Sequence, residues 1–247
     1  MKIFKRIGSK ILDILFPKHI KCVFCGEELN ENAVFDTCEL CFKTLPFITK
    51  PCARCGVQTK GDYSDVCFAC FNTNRNFVQA KSVFDYSDKV VSVVHKFKYN
   101  SKHYLAEPIV SYISAVFNDW DFTPNLVCEV PMHKAKLKKR KVNHGTILAT
   151  MFANTFNLKY LPLCEKIKDN PSQASLKFVQ RKENVKGVYA INKQFANEVK
   201  GKSVLIVDDV ITTCSTIDEL SKVLLEAGAD SVYAISFAHT NLENEES

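Results

Sequence analysis

The apolar positions change rhythm twice along the chain. Ile3, Ile7, Ile11, Ile14 and Leu15 recur at near-helical spacing with lysines between them, and Pro17 ends the pattern. This predicts a short amphipathic helix within residues 1–20. Docking on its own protein is the commoner use of such a helix, ahead of lying on a membrane surface or a partner. From Cys22 to Cys70 long apolar runs are few and cysteines come at regular intervals, so this stretch cannot form a core unaided.

After Phe77 the apolar pattern returns. Val83 to Tyr86 reads as a strand, and Val90, Val91, Val94 and Phe97 form a helical stripe begun by Ser87. A helix follows from about His103 to Phe117, then a buried strand from Leu126 to Val130 ended by Pro131. Thr146 to Phe156 reads as a helix and Ser203 to Val207 as another buried strand. Thr216 to Glu226 is predicted helical, with Thr216 and Glu219 in capping-box spacing and Gly228 placed to end it. Ser231 to Ala238 closes the series as a strand.

Apolar strands alternating with amphipathic helices predict an α/β fold with a mostly parallel, doubly wound sheet, preceded by a small metal-binding module. The expected divisions are the helix at 1–20, the cysteine module at 21–76, the α/β domain at 77–241 and a polar, acidic tail at 242–247.

At 247 residues with 46% hydrophobic content, the chain can bury one ordinary core plus a small appendage. Its first turns lack a signal peptide's uninterrupted apolar stretch and small-residue cleavage site, so the 11 cysteines are expected as reduced thiols in the cytoplasm. No apolar run approaches the roughly 20 residues of a membrane-spanning helix. The net charge of +6 is unevenly placed, with Lys134, Lys136, Lys138, Lys139, Arg140 and Lys141 crowding one segment. Such a cluster suits a polyanion, nucleic acid or a phosphorylated metabolite, although a charge run taken alone is more often a solvated face.

Eight cysteines form C-x-x-C pairs: Cys22/Cys25, Cys38/Cys41, Cys52/Cys55 and Cys67/Cys70. Two residues between thiolates let both sulfurs turn toward one tetrahedral ion, and two such knuckles complete a four-sulfur site. With 12 residues between the first two pairs and 11 between the last two, the spacing predicts two structural zinc ions. The first would sit on Cys22, Cys25, Cys38 and Cys41, the second on Cys52, Cys55, Cys67 and Cys70; interleaved pairing is also compatible with the spacing. Iron–sulfur ligation usually bunches three cysteines in one run, and thioredoxin-like dithiols need a surrounding βαβ pattern, so both fit less well.

In VLIVDDVITTCST, Val204 to Thr216, an apolar strand ends in two adjacent carboxylates, Asp208 and Asp209, where open α/β sheets place their ligands. The chain then turns into a helix. Backbone N–H groups and the hydroxyls of Thr212, Thr213, Ser215 and Thr216 can surround a phosphate there, while the acid pair accepts hydrogen bonds from ribose hydroxyls. Carboxylates facing a sugar cation would also stabilise charge developing at the anomeric carbon.

This stretch resembles the phosphoribosyl diphosphate (PRPP) motif of type I phosphoribosyltransferases. Taken with the eight-cysteine front, Phe97 to Tyr99, VPMH at Val130 to His133, Arg140 with Asn143, and Gln173, Leu176, Arg181, Asn184 and Gly187, nearly the whole chain resembles the ComF family of bacterial competence proteins. The resemblance implies a phosphoribosyltransferase fold behind a zinc-ribbon-like module, and a role in natural transformation, where internalised single-stranded DNA is handled. It implies that Asp208 and Asp209 hold ribose, and that Thr212, Thr213, Cys214, Ser215 and Thr216 hold the 5′-phosphate. It further implies that His133 and Lys134 meet the diphosphate with Mg²⁺, and that Lys98, Arg181 and Asn184 line the same cleft. The family usually has glycine where Cys214 stands, and arginine where Lys136 and Lys166 stand.

Two functions follow from these readings. In the first, a binding protein holds PRPP while Lys136, Lys138, Lys139, Arg140 and Lys141, with the zinc module, meet single-stranded DNA or a competence helicase. In the second, an active phosphoribosyltransferase displaces diphosphate at the anomeric carbon in favour of a nucleobase-like or other acceptor. No acceptor-specific residue set stands out. Phe24, Phe42, Phe68 and Phe71 beside the cysteines could stack on bases, but packing around the metal sites is the expected role for so small a module.

Overall fold

A computed structural model describes residues 20–60, 65–99, 102–169 and 185–241. The expected N-terminal helix, the acidic tail, Arg181 and Asn184 lie outside the described residues, as does the side chain of Lys139. The chain divides into two compact units, the first ending at Leu45 and the second running from Pro46.

The described part of the first unit is one cysteine repeat. Gly26 N–H donates to the Cys22 carbonyl (2.8 Å) and Cys22 N–H to the Glu27 carbonyl (2.7 Å), closing a knuckle on Gly26 at φ +83°. After Cys38 the chain enters α1 (Glu39–Thr44). The second unit opens with the same device: Gly56 N–H donates to the Cys52 carbonyl (2.9 Å), Gly56 has φ +75°, and a short α2 (Phe68–Phe71) follows Cys67.

The second unit continues with β1 (Gln79–Asp85), α3 (Asp88–Tyr99), α4 (Ala106–Asn118), β2 (Leu126–Glu129), α5 (Lys134–Arg140) and α6 (His144–Thr155). β3 (Lys159–Tyr160), β4 (Cys164–Lys166), β5 (Tyr189–Ile191), β6 (Ser203–Ile211), α7 (Ser215–Glu226) and β7 (Ser231–His239) complete it. Five strands form a sheet in the order β1, β7, β6, β2, β3, with every neighbour parallel. β4 and β5 make a separate antiparallel pair.

The central strand β6 is buried from Val204 through Val207 because helices cover the sheet on both faces, which is why its apolar residues run without alternation. Helix α3 buries Val90, Val93, Val94 and Phe97, so Val93 joins the expected stripe in place of Val91. A 3₁₀ turn at His103–Leu105 precedes α4, where one continuous helix was expected.

The sequence placed the end of the central strand at Val207, but β6 runs on through the acid pair to Ile211, paired with β7 as far as Ile211 opposite His239. The predicted capping box does not form. Helix α7 starts one residue earlier, with Cys214 at the N-cap, and Glu219 instead accepts a hydrogen bond from Gly187 N–H (2.7 Å). Among the described residues no helix is long and apolar enough to cross a membrane.

Candidate functional site

A cleft of about 460 Å³ opens at the carboxyl ends of β1, β2, β6 and β7. Its floor is the acid pair. Lys98, from α3, reaches Asp209 with Nζ 2.7 Å from Oδ1. Burial pulls the Lys98 ammonium toward lower pKa, but the carboxylates of Asp209 and Asp208 outweigh it and the net direction is up. Asp208 keeps part of its surface open to the cleft, yet protein closely surrounds its carboxyl. Burial, reinforced by the Asp209 charge and only partly offset by Lys98, pushes it up to about 8. The two acids therefore differ: Asp209 is an ion-paired carboxylate, whereas Asp208 keeps a proton near neutrality and can donate as well as accept.

Beyond the acids the chain turns sharply at Cys214, whose φ is +61°, and enters α7. Thr212, Cys214 and Thr216 line the cleft. Thr213 and Ser215 do not; their hydroxyls bond one another at 2.8 Å and both are buried, so they brace the loop from within.

The opposite wall is basic. Residues 134–140 form helix α5, capped by His133, whose Nδ1 accepts from Ala135 N–H (3.3 Å) and lies 3.7 Å from an Asp169 carboxylate oxygen. His133, Lys136 and Arg140 line the cleft together with Lys166 from β4. Arg140 lies over the Tyr99 ring at 4.8 Å. Lys138 is exposed and lines neither cavity. Lys134 and Lys141 instead line a neighbouring, larger cavity of about 1020 Å³ with Glu129 at its edge. The basic run thus splits by helical phase.

Residues with no local signal also belong here. Tyr86, Tyr189, His144 and Thr240 line the cleft from four separate parts of the chain. Burial lowers the His144 imidazole, and its Nδ1 has no hydrogen-bond partner among the described residues. Glu129 ends β2, accepts from the Tyr160 hydroxyl (3.0 Å), and is pushed up by burial. An acid at the end of an apolar strand was the one signal that could have found it.

Each cysteine tetrad brings its four sulfurs within 4.8 Å of one another in the paired arrangement, Cys22/Cys25/Cys38/Cys41 and Cys52/Cys55/Cys67/Cys70. None of these thiols is in a disulfide. Backbone N–H groups already face the sulfurs, as from Cys38 to Cys22 (3.4 Å) and Cys67 to Cys52 (3.3 Å). Four convergent thiols with N–H donors around them fit a tetrahedral zinc ion. Packing around the metal sites holds for Phe24, which is buried, but Phe68 and Phe71 are 81% and 77% exposed.

Sheet order, acid pair and basic wall define a protein of the type I phosphoribosyltransferase fold, carrying cysteine tetrads of the zinc-ribbon kind. Residues 11–71 match the double zinc ribbon domain, and residues 145–246 match the phosphoribosyl transferase domain. The chain is 22% identical to Competence protein F of Haemophilus influenzae over 224 residues, covering 87% of this chain and 94% of that protein. It is 24% identical to DNA utilization protein YhgH of Salmonella typhi over 201 residues, covering 79% and 86%. Among solved structures, the glutamine PRPP amidotransferase of B. subtilis is similar over 57% of this chain and 30% of that one, at 20% identity and a TM-score of 0.39. Both domain matches and both relatives are those that the resemblance to the ComF family implies.

Proposed function

We propose that the cleft binds PRPP together with Mg²⁺, and that the protein takes part in handling internalised single-stranded DNA during natural transformation in the cytoplasm. The observation that carries the reading is the acid pair in the last part of β6, placed against Lys98 on one side and the left-handed turn into α7 on the other. Ribose hydroxyls would meet Asp208 and Asp209, the first able to donate and accept, the second to accept in place of Lys98. The 5′-phosphate would rest on the N–H groups that open α7, with the Thr212 hydroxyl beside it. Lys136, Arg140 and Lys166, with the His133 imidazole beside them, would give the diphosphate a cationic wall, and Mg²⁺ bound with it would neutralise the remaining charge.

Two zinc ions in the tetrads would serve structure. Exposed Phe68 and Phe71, and lysines of α5 outside the cleft such as Lys138, are the groups we assign to single-stranded DNA or a helicase partner. That the relatives are a competence protein and a DNA utilization protein supports this direction.

The test is a thermal shift. PRPP with Mg²⁺ at about 100 times its Kd should stabilise the protein by about 2.7 kcal/mol, a rise of roughly 5–10 °C for a chain of this size. Asp208→Ala and Asp209→Ala should abolish the shift. Unchanged melting of the wild-type protein in saturating Mg²⁺ and PRPP would overturn the reading.

A further inference from the structure

The thiol of Cys214 belongs to two places at once. Its backbone forms the left-handed turn of the phosphate loop. Its sulfur lies in a buried cluster with Cys55 Sγ and His239 Nε2, all within 4.8 Å of one another, the His239 nitrogen at 3.6 Å. Cys214, Cys55 and His239 are 4%, 3% and 3% exposed, so water does not compete for these contacts. Cys55 is also a member of the second tetrad, its sulfur 3.7 Å from that of Cys67.

A left-handed conformation costs a residue with a Cβ roughly 1–2 kcal/mol, so a side chain here needs an offsetting contact. The imidazole of His239 and the sulfur of Cys55 supply it together. The Cys214 sulfur thus sits between a member of the tetrad and the end of β7, where His239 Nδ1 faces the Thr240 carbonyl (3.0 Å) and its Nε2 faces the sulfur. Arg75 stands beside Cys70 and Cys214, a counter-charge for a four-thiolate centre, and its Nε has no other partner among the described residues. The ribbon is fastened to the loop's neighbours as well. Ala80 N–H donates to the Arg54 carbonyl (2.8 Å), and Asn76 N–H donates to an Asp218 carboxylate oxygen (2.6 Å) in the first turn of α7.

We propose that Cys214 is a positioning residue through which the metal ion of the second tetrad holds the loop Thr212 to Thr216 in its phosphate-receiving shape. This rests on the PRPP reading of the cleft. Linkage makes the effect reciprocal: if the ion favours the loop shape that binds PRPP, PRPP favours retention of the ion.

The experiment follows zinc release from the full-length, zinc-loaded chain into a chromogenic chelator, with and without Mg²⁺ and PRPP. Partners of this kind typically alter metal affinity by 10–100-fold, so Cys214→Ala should release one of its two ions about tenfold faster and leave the other unchanged. Cys214→Ser, which keeps a polar side chain of similar size between Cys55 and His239, should behave like the wild type. Cys214→Gly removes the backbone cost and should melt no lower than the wild type, yet release the ion as fast as alanine does. A merely structural role would instead order the variants by melting temperature. Mg²⁺ with PRPP should slow loss of that ion in the wild type and not in Cys214→Ala.

Wild-type release rates in both the alanine and glycine variants would overturn the proposal. So would three ions per chain falling to two in Cys214→Ala, which would make Cys55, Cys214 and His239 a metal site of their own. If PRPP alters no rate and no melting temperature in any variant, the cleft reading fails, while the rates without PRPP still decide the role of Cys214.

Discussion

The two cysteine tetrads share a spacing, a knuckle and a left-handed glycine, but they are built into different surroundings. The first is closed by hydrogen bonds among residues 20–45, and Cys25 is exposed. A Cβ added at Gly26 would meet nothing within 4 Å. The second has Cys52 and Cys55 buried in the same core cluster as Phe77, Ile206 and Cys214, and a Cβ added at Gly56 would lie 2.6 Å from the Ala80 carbonyl of β1. One sequence pattern therefore yields a self-contained cysteine tetrad in one copy and a structural part of the α/β unit in the other. Local spacing sets the tetrad; the residues around it set what it supports.

The largest test of this contrast is loss of a ligand. Structural zinc contributes on the order of 10 kcal/mol in small domains. Cys67→Ser should therefore lower melting of the second unit by more than about 10 °C, whereas Cys38→Ser should leave that transition in place. Trp120 is a built-in reporter, since its Nε1 donates to Gln79 (2.7 Å), which in turn donates to the Ala53 carbonyl of the second knuckle (3.0 Å). Equal losses of Trp120 emission in the two variants would break the comparison.

Gly56→Ala combines a left-handed backbone with a backbone clash and should destabilise the second unit by about 2–4 kcal/mol. Gly26→Ala carries the conformational cost alone, about 1 kcal/mol, and confines it to the first unit. Denaturant melts of both variants measure the difference, and similar losses in the second unit would contradict it.

A smaller effect separates the second unit by pH. In the native state Asp208 is pushed up to about 8 from an ordinary 3.8, so the folded protein holds its proton longer than the unfolded chain does. The native state is therefore progressively penalised as pH climbs from about 4 to about 8. Asp208→Asn removes this penalty and should raise melting of the second unit by at least about 2–4 °C at pH 8, with no gain at pH 4. A gain that persists at pH 4 would point to packing instead. Smallest of all, Phe68→Ala should change stability by less than about 0.5 kcal/mol, because its ring is exposed, while weakening any single-stranded DNA binding measured by fluorescence anisotropy.

What could be read in the sequence was what is local. The paired cysteines, the apolar run of β6 with its two acids, and the striped helices α3, α4 and α7 all announce themselves within a few turns of chain. Helix α5 does not, because KAKLKKR offers only Ala135 and Leu137 as apolar residues, two positions apart, and so shows no helical stripe. Strands β3, β4 and β5 are two or three residues long, too short for a period. The capping box failed because Glu219 serves Gly187, a residue that local spacing cannot see. The division of Lys134 to Lys141 between two cavities likewise depends on where α5 docks. The meeting of Cys55, Cys214 and His239 joins three distant stretches of chain, so spacing could mark Cys214 as unusual but not show its neighbours.

The seam between Ala80 and Gly56 has a consequence for how this protein can be divided or inherited. By sequence the natural excision point lies after the last cysteine, since everything beyond it reads as a complete α/β domain. By structure that cut strips Cys52 and Cys55 from the cluster containing Phe77, Ala80 and Ile217, leaving an apolar surface bare. A transplant of the phosphoribosyltransferase half must instead begin at Pro46, in the middle of the repeat. The unit that repeats in the sequence and the unit that packs as one body are not the same, and half of the ribbon goes with the sheet.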